Sequence, residues 1–227
     1  MDLATRILDP DGEVTIILRH AKLSQADEAI QESSESSETS DDTPVGEQHS
    51  PVEQPNAEMA TGQQPEPEVQ EFRYQVSAKH LTFASPVFKR LLTGGWKEST
   101  IYSENVYVEI TASDWDDEAF AILLRVIHGQ YHEVPQKVTL HMLAEIGVIA
   151  DYYDCKQALL IMIDMWVNAL EEKMPSDYSV TTMRWIWVSW YFNLPKNFQE
   201  STSVAMASST GVIDKCDFPI PDKVIGK

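Results

Sequence analysis

The sequence predicts an α+β protein in which a small, mostly antiparallel sheet packs against a cluster of α-helices, with a C-terminal helical extension. Three observations lead to this prediction. Residues 14–18 form a β-branched apolar run, and residues 72–76 alternate between apolar and polar side chains, as strands do. From Leu81 onward, apolar residues recur at steps of three and four, which is the spacing of amphipathic helices.

The chain has 227 residues and a formal charge of −19 at pH 7, and this length suits one domain with a hydrophobic core plus tails. Its lysines and arginines do not cluster, which argues against direct binding of DNA or RNA. We expect no signal peptide and no membrane helix, because no stretch approaches roughly 20 apolar residues. The two cysteines, Cys155 and Cys216, favour a reducing compartment, so we expect an intracellular protein of the nucleus, the cytoplasm or both.

Three strands are expected. The turn signal Asp11-Gly12 precedes the first, at 14–18, and residues 1–10 are interpreted as an N-terminal tail without a strand. The second strand, at 72–76, should lie beside the first. Residues 106–110 alternate again and form the third.

Residues 22–70 form an acidic insert between the first two strands. They contain five prolines, repeated Ser-Ser-Glu units and twelve acidic residues against one lysine. We expect disorder, because so little apolar surface cannot offset the entropy cost of ordering the chain. Two interpretations stay open: a solvated spacer, or a regulatory tether phosphorylated at Ser24 and Thr39, each of which precedes an acidic residue by three positions.

Two short helices follow the second strand. Residues 78–84 and 86–92 share one apolar stripe, but Pro86 would break a continuous helix. We therefore predict that the two helices meet at Ser85, which caps the second helix, with Pro86 at its first position. Gly94-Gly95 closes this unit.

Three longer helices are predicted next. The first begins in the acidic segment headed by Ser113 and ends at His128-Gly129. The second has Thr139 as its N-cap. The third spans residues 155–170 with a regular apolar stripe, and Met174-Pro175-Ser176 ends it.

The domain prediction follows from these elements. Residues 11–170 form one domain interrupted by the insert, 176–210 form the helical extension, and 211–227 form a flexible tail. The extension concentrates tryptophans, among them Trp185 and Trp190. Either this helix docks on the 155–170 helix and extends the core, or its aromatic residues form an exposed patch that binds a partner.

No catalytic, cofactor or metal site is predicted. The sequence lacks a P-loop, a dinucleotide-binding glycine pattern, a nucleophile elbow and a zinc-protease motif. His128 and His132 are four residues apart, but no third ligand accompanies them. Cys155 lies on a core stripe and should be an inert buried thiol. The acidic residues after Ser113 lack the glycine-punctuated spacing of a calcium loop.

Four ordered blocks over roughly 11–170 resemble the BTB/POZ domain family. The run VSAKHLTFASPVF at 76–88 is similar to the family's strand–helix signature. The strand at 106–110 precedes an acidic segment, and VIHGQY at 126–131 resembles the family's helix end. The run LAEIGVIADYYDC at 143–155 resembles its helical hairpin, and with the Trp-rich tail it looks most like BTB proteins of filamentous fungi.

The resemblance implies a non-enzymatic protein–protein interaction module. Family members associate with themselves through the first helices, so a homodimer is expected, and some dock on a cullin scaffold as substrate adaptors of a ubiquitin ligase. A transcriptional co-regulator acting through protein partners is the alternative, and a small-molecule enzyme is a distant one. The candidate interaction residues are Glu13, Lys79, Phe83, Trp185 and Trp190.

Glu13 and Lys79 are chosen by comparison with the shared pocket of BTB homodimers. That pocket pairs an acidic residue near the first strand with a basic one just after the second. Glu13 lies near the acidic place, whereas Ala78 stands where the basic residue is expected and Lys79 is adjacent to it.

Overall fold

The computed structural model describes residues 5–21, 69–93, 108–209, 211 and 213–224. These form an α+β fold with a four-stranded mixed sheet and seven α-helices. The strands are β1 (Thr5–Ile7), β2 (Val14–Ala21), β3 (Val69–Val76) and β4 (Val108–Ser113). The helices are α1 (Ala78–Ala84), α2 (Pro86–Thr93), α3 (Asp117–Ile127), α4 (Leu140–Tyr152), α5 (Lys156–Ala169), α6 (Val180–Tyr191) and α7 (Pro195–Ser208).

Several predictions concern residues outside the described part. Most of the acidic insert, including Ser24 and Thr39, lies there, as do Gly94-Gly95 and residues 106–107. The insert was predicted to extend to residue 70, but Val69 and Gln70 already belong to β3. Among the helices that the structure describes, none combines the length and apolarity needed to cross a bilayer.

The sheet has the strand order β1-β3-β2-β4. The predicted neighbourhood of β2 and β3 is confirmed, but the prediction of a mostly antiparallel sheet is wrong. β1 runs parallel to β3, and β2 runs parallel to β4 with Val14 opposite Val108. The error has a physical reason: side-chain alternation marks a strand but is the same for either strand direction.

β1 is a strand in the segment that we predicted to be a tail. Its three residues are all exposed, so no apolar alternation marks it in the sequence. Side chains instead attach it to the rest of the fold. Arg6 donates to the Asp117 carboxylate at 2.7 Å and to the Tyr74 hydroxyl at 3.3 Å, which joins β1 to β3 and to the start of α3.

The predicted change from strand to two short helices is confirmed. Ser85 separates α1 from α2, and its hydroxyl accepts a hydrogen bond from the Phe88 amide at 3.0 Å, as an N-cap does. Leu81, Phe88 and Leu92 are completely buried in the core cluster that also contains most of α3. The apolar stripe that continues across Pro86 therefore lies on two separate helices, α1 and α2, and both bury their apolar side chains in one core.

The boundaries of α3 and α4 are set by local capping. α3 begins after Asp116, whose carboxylate accepts from the Ala119 amide at 2.7 Å, while Ser113 ends β4 instead of heading the helix. The helix ends at His128, and Gly129 follows with φ of 71°. Thr139 caps α4 as predicted, because its hydroxyl accepts from the Met142 amide.

The C-terminal helices complete the same core. α6 packs on α4 and α7 packs on α6. Of the two alternatives, extension of the core is therefore the one observed, but α6 docks mainly on α4 and not on the 155–170 helix. At the contact, Gly147 of α4 lies so close to Trp187 that an added Cβ would be 3.2 Å from the indole nitrogen. Beyond α7, Phe218 and Ile220 are buried in the core cluster. We predicted a flexible tail for 211–227, because Phe218 and Ile220 alternate with Pro219 and Pro221 and form no periodic pattern.

Candidate docking surface

The outer face of α1 presents an aromatic side chain to solvent. Phe83 is 95% exposed, the largest value among the exposed large hydrophobic side chains of the described residues. Leu81, two positions earlier, is completely buried, because residues two apart point to opposite sides of a helix. Phe83 was predicted as an interaction residue, and the structure places it where another molecule could reach it.

The start of α1 is fastened to the end of α3 by His128. The Ser77 amide donates to His128 Nε2 at 3.0 Å, and His128 Nδ1 donates to the Leu124 carbonyl at 2.8 Å. Because one ring nitrogen accepts while the other donates, the imidazole is held in one neutral tautomer. Burial lowers the pKa of His128, and the nearby charge of His80, whose ring centroid lies 5.0 Å away, acts in the same direction.

The end of α1 is fastened to the end of α4 by Ser85. Its hydroxyl donates to the Tyr153 carbonyl at 2.5 Å while accepting from the Phe88 amide. The rings of Phe88 and Tyr153 stack with centroids 4.3 Å apart. Both ends of α1 are therefore tied to the core, and Phe83 is displayed from a fixed helix.

Glu13 and Lys79 lie at the same end of the sheet. A Cβ on Gly12 would be only 2.6 Å from the Val76 carbonyl oxygen, so the chain entering β2 passes directly against the end of β3. No ion pair joins Glu13 to Lys79 within the described residues. Ala78, where the resemblance would place a basic residue, is completely buried. A charged side chain there would lose its hydration.

The two tryptophans predicted as interaction residues occupy different environments. Trp185 is 4% exposed and belongs to the core cluster, although its indole nitrogen has no hydrogen-bond partner. Trp190 is partly exposed and lines a cavity of about 320 Å³ at the turn between α6 and α7, together with Leu194 and Phe198. Only Trp190 is open to contact from outside.

Cys155 and Glu172 have structural roles in the described part of the chain. Cys155 is buried, its thiol donates towards the Ala150 carbonyl, and burial raises its pKa to about 12, as expected of the inert thiol that we predicted. Within the described residues, no three His, Cys, Asp or Glu side chains are grouped to hold a metal ion. A cavity of about 520 Å³ lies where α4 begins and α5 ends. The Glu172 carboxylate in its lining accepts a hydrogen bond from the Leu140 amide at 2.9 Å.

Sequence reasoning missed two further exposed apolar groups. Tyr152 at the end of α4 is 61% exposed and lies against Trp115, and α5 exposes Leu160, Ile161 and Met165. The α5 residues could have been found, because they fall outside the buried stripe of that helix. Tyr152 gave no such signal, since it adjoins the buried Tyr153 in sequence.

Comparison with known proteins does not assign this chain to a family. No model of a protein family matches the sequence, and no curated protein matches it significantly. The functional interpretation therefore depends on the residues and geometry described above.

Proposed function

We propose that this protein is a non-enzymatic protein–protein interaction module of the BTB/POZ type that associates with itself through α1. The order of its elements supports the proposal. β2, β3, α1, α2, β4, α3 and the α4–α5 hairpin follow one another as the sequence resemblance implies.

The observation on which the proposal depends is the exposure of Phe83. An aromatic side chain exposed to 95% leaves a large apolar area in water. Because His128 and Ser85 already fix the two ends of α1, covering Phe83 would cost little further ordering entropy. A rigid exposed aromatic residue is typical of the residues that dominate binding energy at interfaces.

A second copy of the chain is the partner that the charges support. Residues 78–93 contain Lys79, Lys89 and Arg90 and no acidic residue, in a chain whose formal charge is −19. In a two-fold dimer of the kind that the BTB resemblance implies, Glu13 and Lys79 would line a shared pocket, and symmetry would repeat it. The acidic remainder of the chain would set the encounter rate and the choice of partner.

Analytical ultracentrifugation of the full chain between about 1 and 50 μM tests the self-association. We expect a dimer for the wild type and a monomer for Phe83→Glu, which would bury an unpaired carboxylate at the interface. Met206→Glu is the matched control, because Met206 is 70% exposed on α7. A wild-type chain that is strictly monomeric, or a Phe83→Glu chain as dimeric as the control, contradicts the proposal.

Affinity purification from cells then separates the two roles of such a module. Enrichment of a cullin scaffold would support a substrate adaptor of a ubiquitin ligase. Enrichment of a DNA-binding protein without a cullin would support a transcriptional co-regulator. Phe83→Glu and Met206→Glu are again the test and control variants. If the partner is lost from Phe83→Glu but retained by Met206→Glu, its binding depends on α1.

A further inference from the structure

The turn between β4 and α3 and the end of α4 bring two aromatic side chains together at the surface. Trp115 and Tyr152 meet edge to face, with ring centroids 5.1 Å apart and an interplanar angle of 61°. Tyr152 is 61% exposed and Trp115 is partly exposed. Such amphipathic rings can bind a ligand while losing little conformational entropy.

Buried side chains support this aromatic pair. Tyr152 contacts the buried Tyr153 at 4.9 Å between centroids, and Tyr153 in turn stacks on Phe88. The backbone on both sides is also fixed. Asp114 has φ of 64° and its amide donates to the Arg19 carbonyl at 3.0 Å, while Asp154 has φ of 51° and its amide donates to the Asp151 carbonyl at 3.1 Å.

Several exposed carboxylates lie next to the two aromatic residues in the sequence. Asp114 and Asp116 flank Trp115 in sequence, and Asp151 and Asp154 adjoin the two tyrosines. Asp116 already caps α3, but Asp114, Asp151 and Asp154 form no ion pair with any residue that the structure describes. Burial and then the negative charge of Asp154 raise the pKa of Asp151.

Among the described residues, the cation that acts on Asp151 is Lys156, and its ammonium also has other contacts. Lys156 acts electrostatically on Asp151, yet its ammonium donates to the Tyr191 carbonyl and lies 5.0 Å from the centroid of the Tyr191 ring. A site with aromatic faces and exposed carboxylates favours a cation that is both planar and charged. A guanidinium group has this chemistry, because it stacks on aromatic rings and binds carboxylates through paired hydrogen bonds.

We propose that Trp115 and Tyr152, with Asp114, Asp151 and Asp154, bind an arginine-rich segment of a partner protein. One arginine stacks on the exposed aromatic pair, and the carboxylates contact its guanidinium and the neighbouring basic side chains of the segment. This inference is independent of self-association through α1, since it uses different side chains and requires only one copy of the chain.

Isothermal titration of the full chain with a hexa-arginine peptide at about 150 mM salt tests the proposal. The decisive variant is Tyr152→Ala, because it removes an aromatic face without changing the charge. We expect it to weaken binding about fivefold or more. Asp164→Asn on the exposed side of α5 is the control for general acidity, and it should bind within about twofold of wild type.

Two further measurements make the result specific. A hexa-lysine peptide should bind more weakly than hexa-arginine, and hexa-arginine should slow hydrogen exchange over 113–117 and 150–155. Equal affinity of wild type and Tyr152→Ala would overturn the proposal, because the peptide would then be attracted only by net charge. Equal binding of the two peptides would overturn the assignment to guanidinium. Tyr152→Ala should leave the oligomeric state unchanged, which separates this outcome from that of the Phe83 experiment.

Discussion

At the scale of single residues, His128 shows how one side chain can join two elements in a particular charge state. Its neutral ring accepts from the Ser77 amide and donates to the Leu124 carbonyl, so a proton added at Nε2 would face another donor. The charged groups that act on it are His80 of α1, which lowers its pKa, and Asp9 before β2, which raises it less than burial lowers it. The hydrogen bonds at the base of α1 therefore depend on pH.

We expect the free energy of unfolding to fall as the pH is lowered from about 7.5 to 5.5, in part through His128. Its pKa is below 6.5 in the folded chain and ordinary in the unfolded chain, so the unfolded state binds more protons between the two values. The contribution is complete above pH 6.5 and is lost as the pH falls towards the lower pKa. Each unit of depression corresponds to about 1.4 kcal/mol.

Urea denaturation of His128→Gln measures this contribution. The glutamine oxygen can still accept from Ser77 but does not titrate, so the variant should lose less stability than wild type over this pH range. His132→Gln is the control, since it makes the same substitution at a histidine whose side chain is 78% exposed. A stability difference between wild type and His128→Gln that does not vary with pH would contradict the prediction.

At the scale of elements, the local features were predictable and the long-range ones were not. Ser85 with Pro86, Thr139, and Gly129 mark helix ends through bonds within one turn, and each was located from sequence. The direction of the strands and the docking of α6 on α4 depend on residues far apart in the chain. No periodicity within a single segment encodes such contacts.

The candidate surfaces divide in the same way. Phe83 was predictable because it falls outside the apolar stripe of α1. The environments of Trp185 and Trp190 were not, because which side of α6 is covered depends on where α4 and α7 pack. Tyr152 beside Trp115 was missed, since their contact joins residues that are 37 positions apart.

The contact between α4 and α6 depends on the absence of a side chain at Gly147. Trp187 fills that space and donates to the Ala144 carbonyl at 3.2 Å. Gly147→Leu should therefore destabilise the fold by about 1–3 kcal/mol through overpacking, despite the better helix propensity of leucine. Gly211→Leu is the matched control, because a Cβ there would meet nothing within 4 Å.

Thermal denaturation followed by circular dichroism at 222 nm compares the two variants. The melting temperature of Gly211→Leu should stay close to that of wild type, whereas that of Gly147→Leu should fall. A Gly147→Leu chain as stable as Gly211→Leu would show that α6 can move away from α4 without cost, and the described packing would then be wrong.

At the scale of the whole molecule, both ends of the described chain are held against the same core. Arg6 of β1 is paired with Asp117 of α3 at one end. At the other, the Tyr178 hydroxyl donates to the Asp214 carbonyl at 3.0 Å and accepts from the Asp214 amide at 2.9 Å. Ile220 then lies in the core cluster with Phe218. The C-terminal segment is thus predicted to contribute to stability rather than to act as an appendage.

Ile220→Ala tests this contribution directly. Ile220 is 1% exposed, so its truncation should cost about 2–4 kcal/mol of unfolding free energy through lost burial and the cavity left behind. Val180→Ala, at a side chain that is about half exposed at the start of α6, should cost less than about 1 kcal/mol. Urea denaturation of the full chain gives both values under one two-state treatment. Equal costs for the two variants would mean that residues 213–224 separate from the core before the fold unfolds, because only then would burial of Ile220 fail to stabilise the native state.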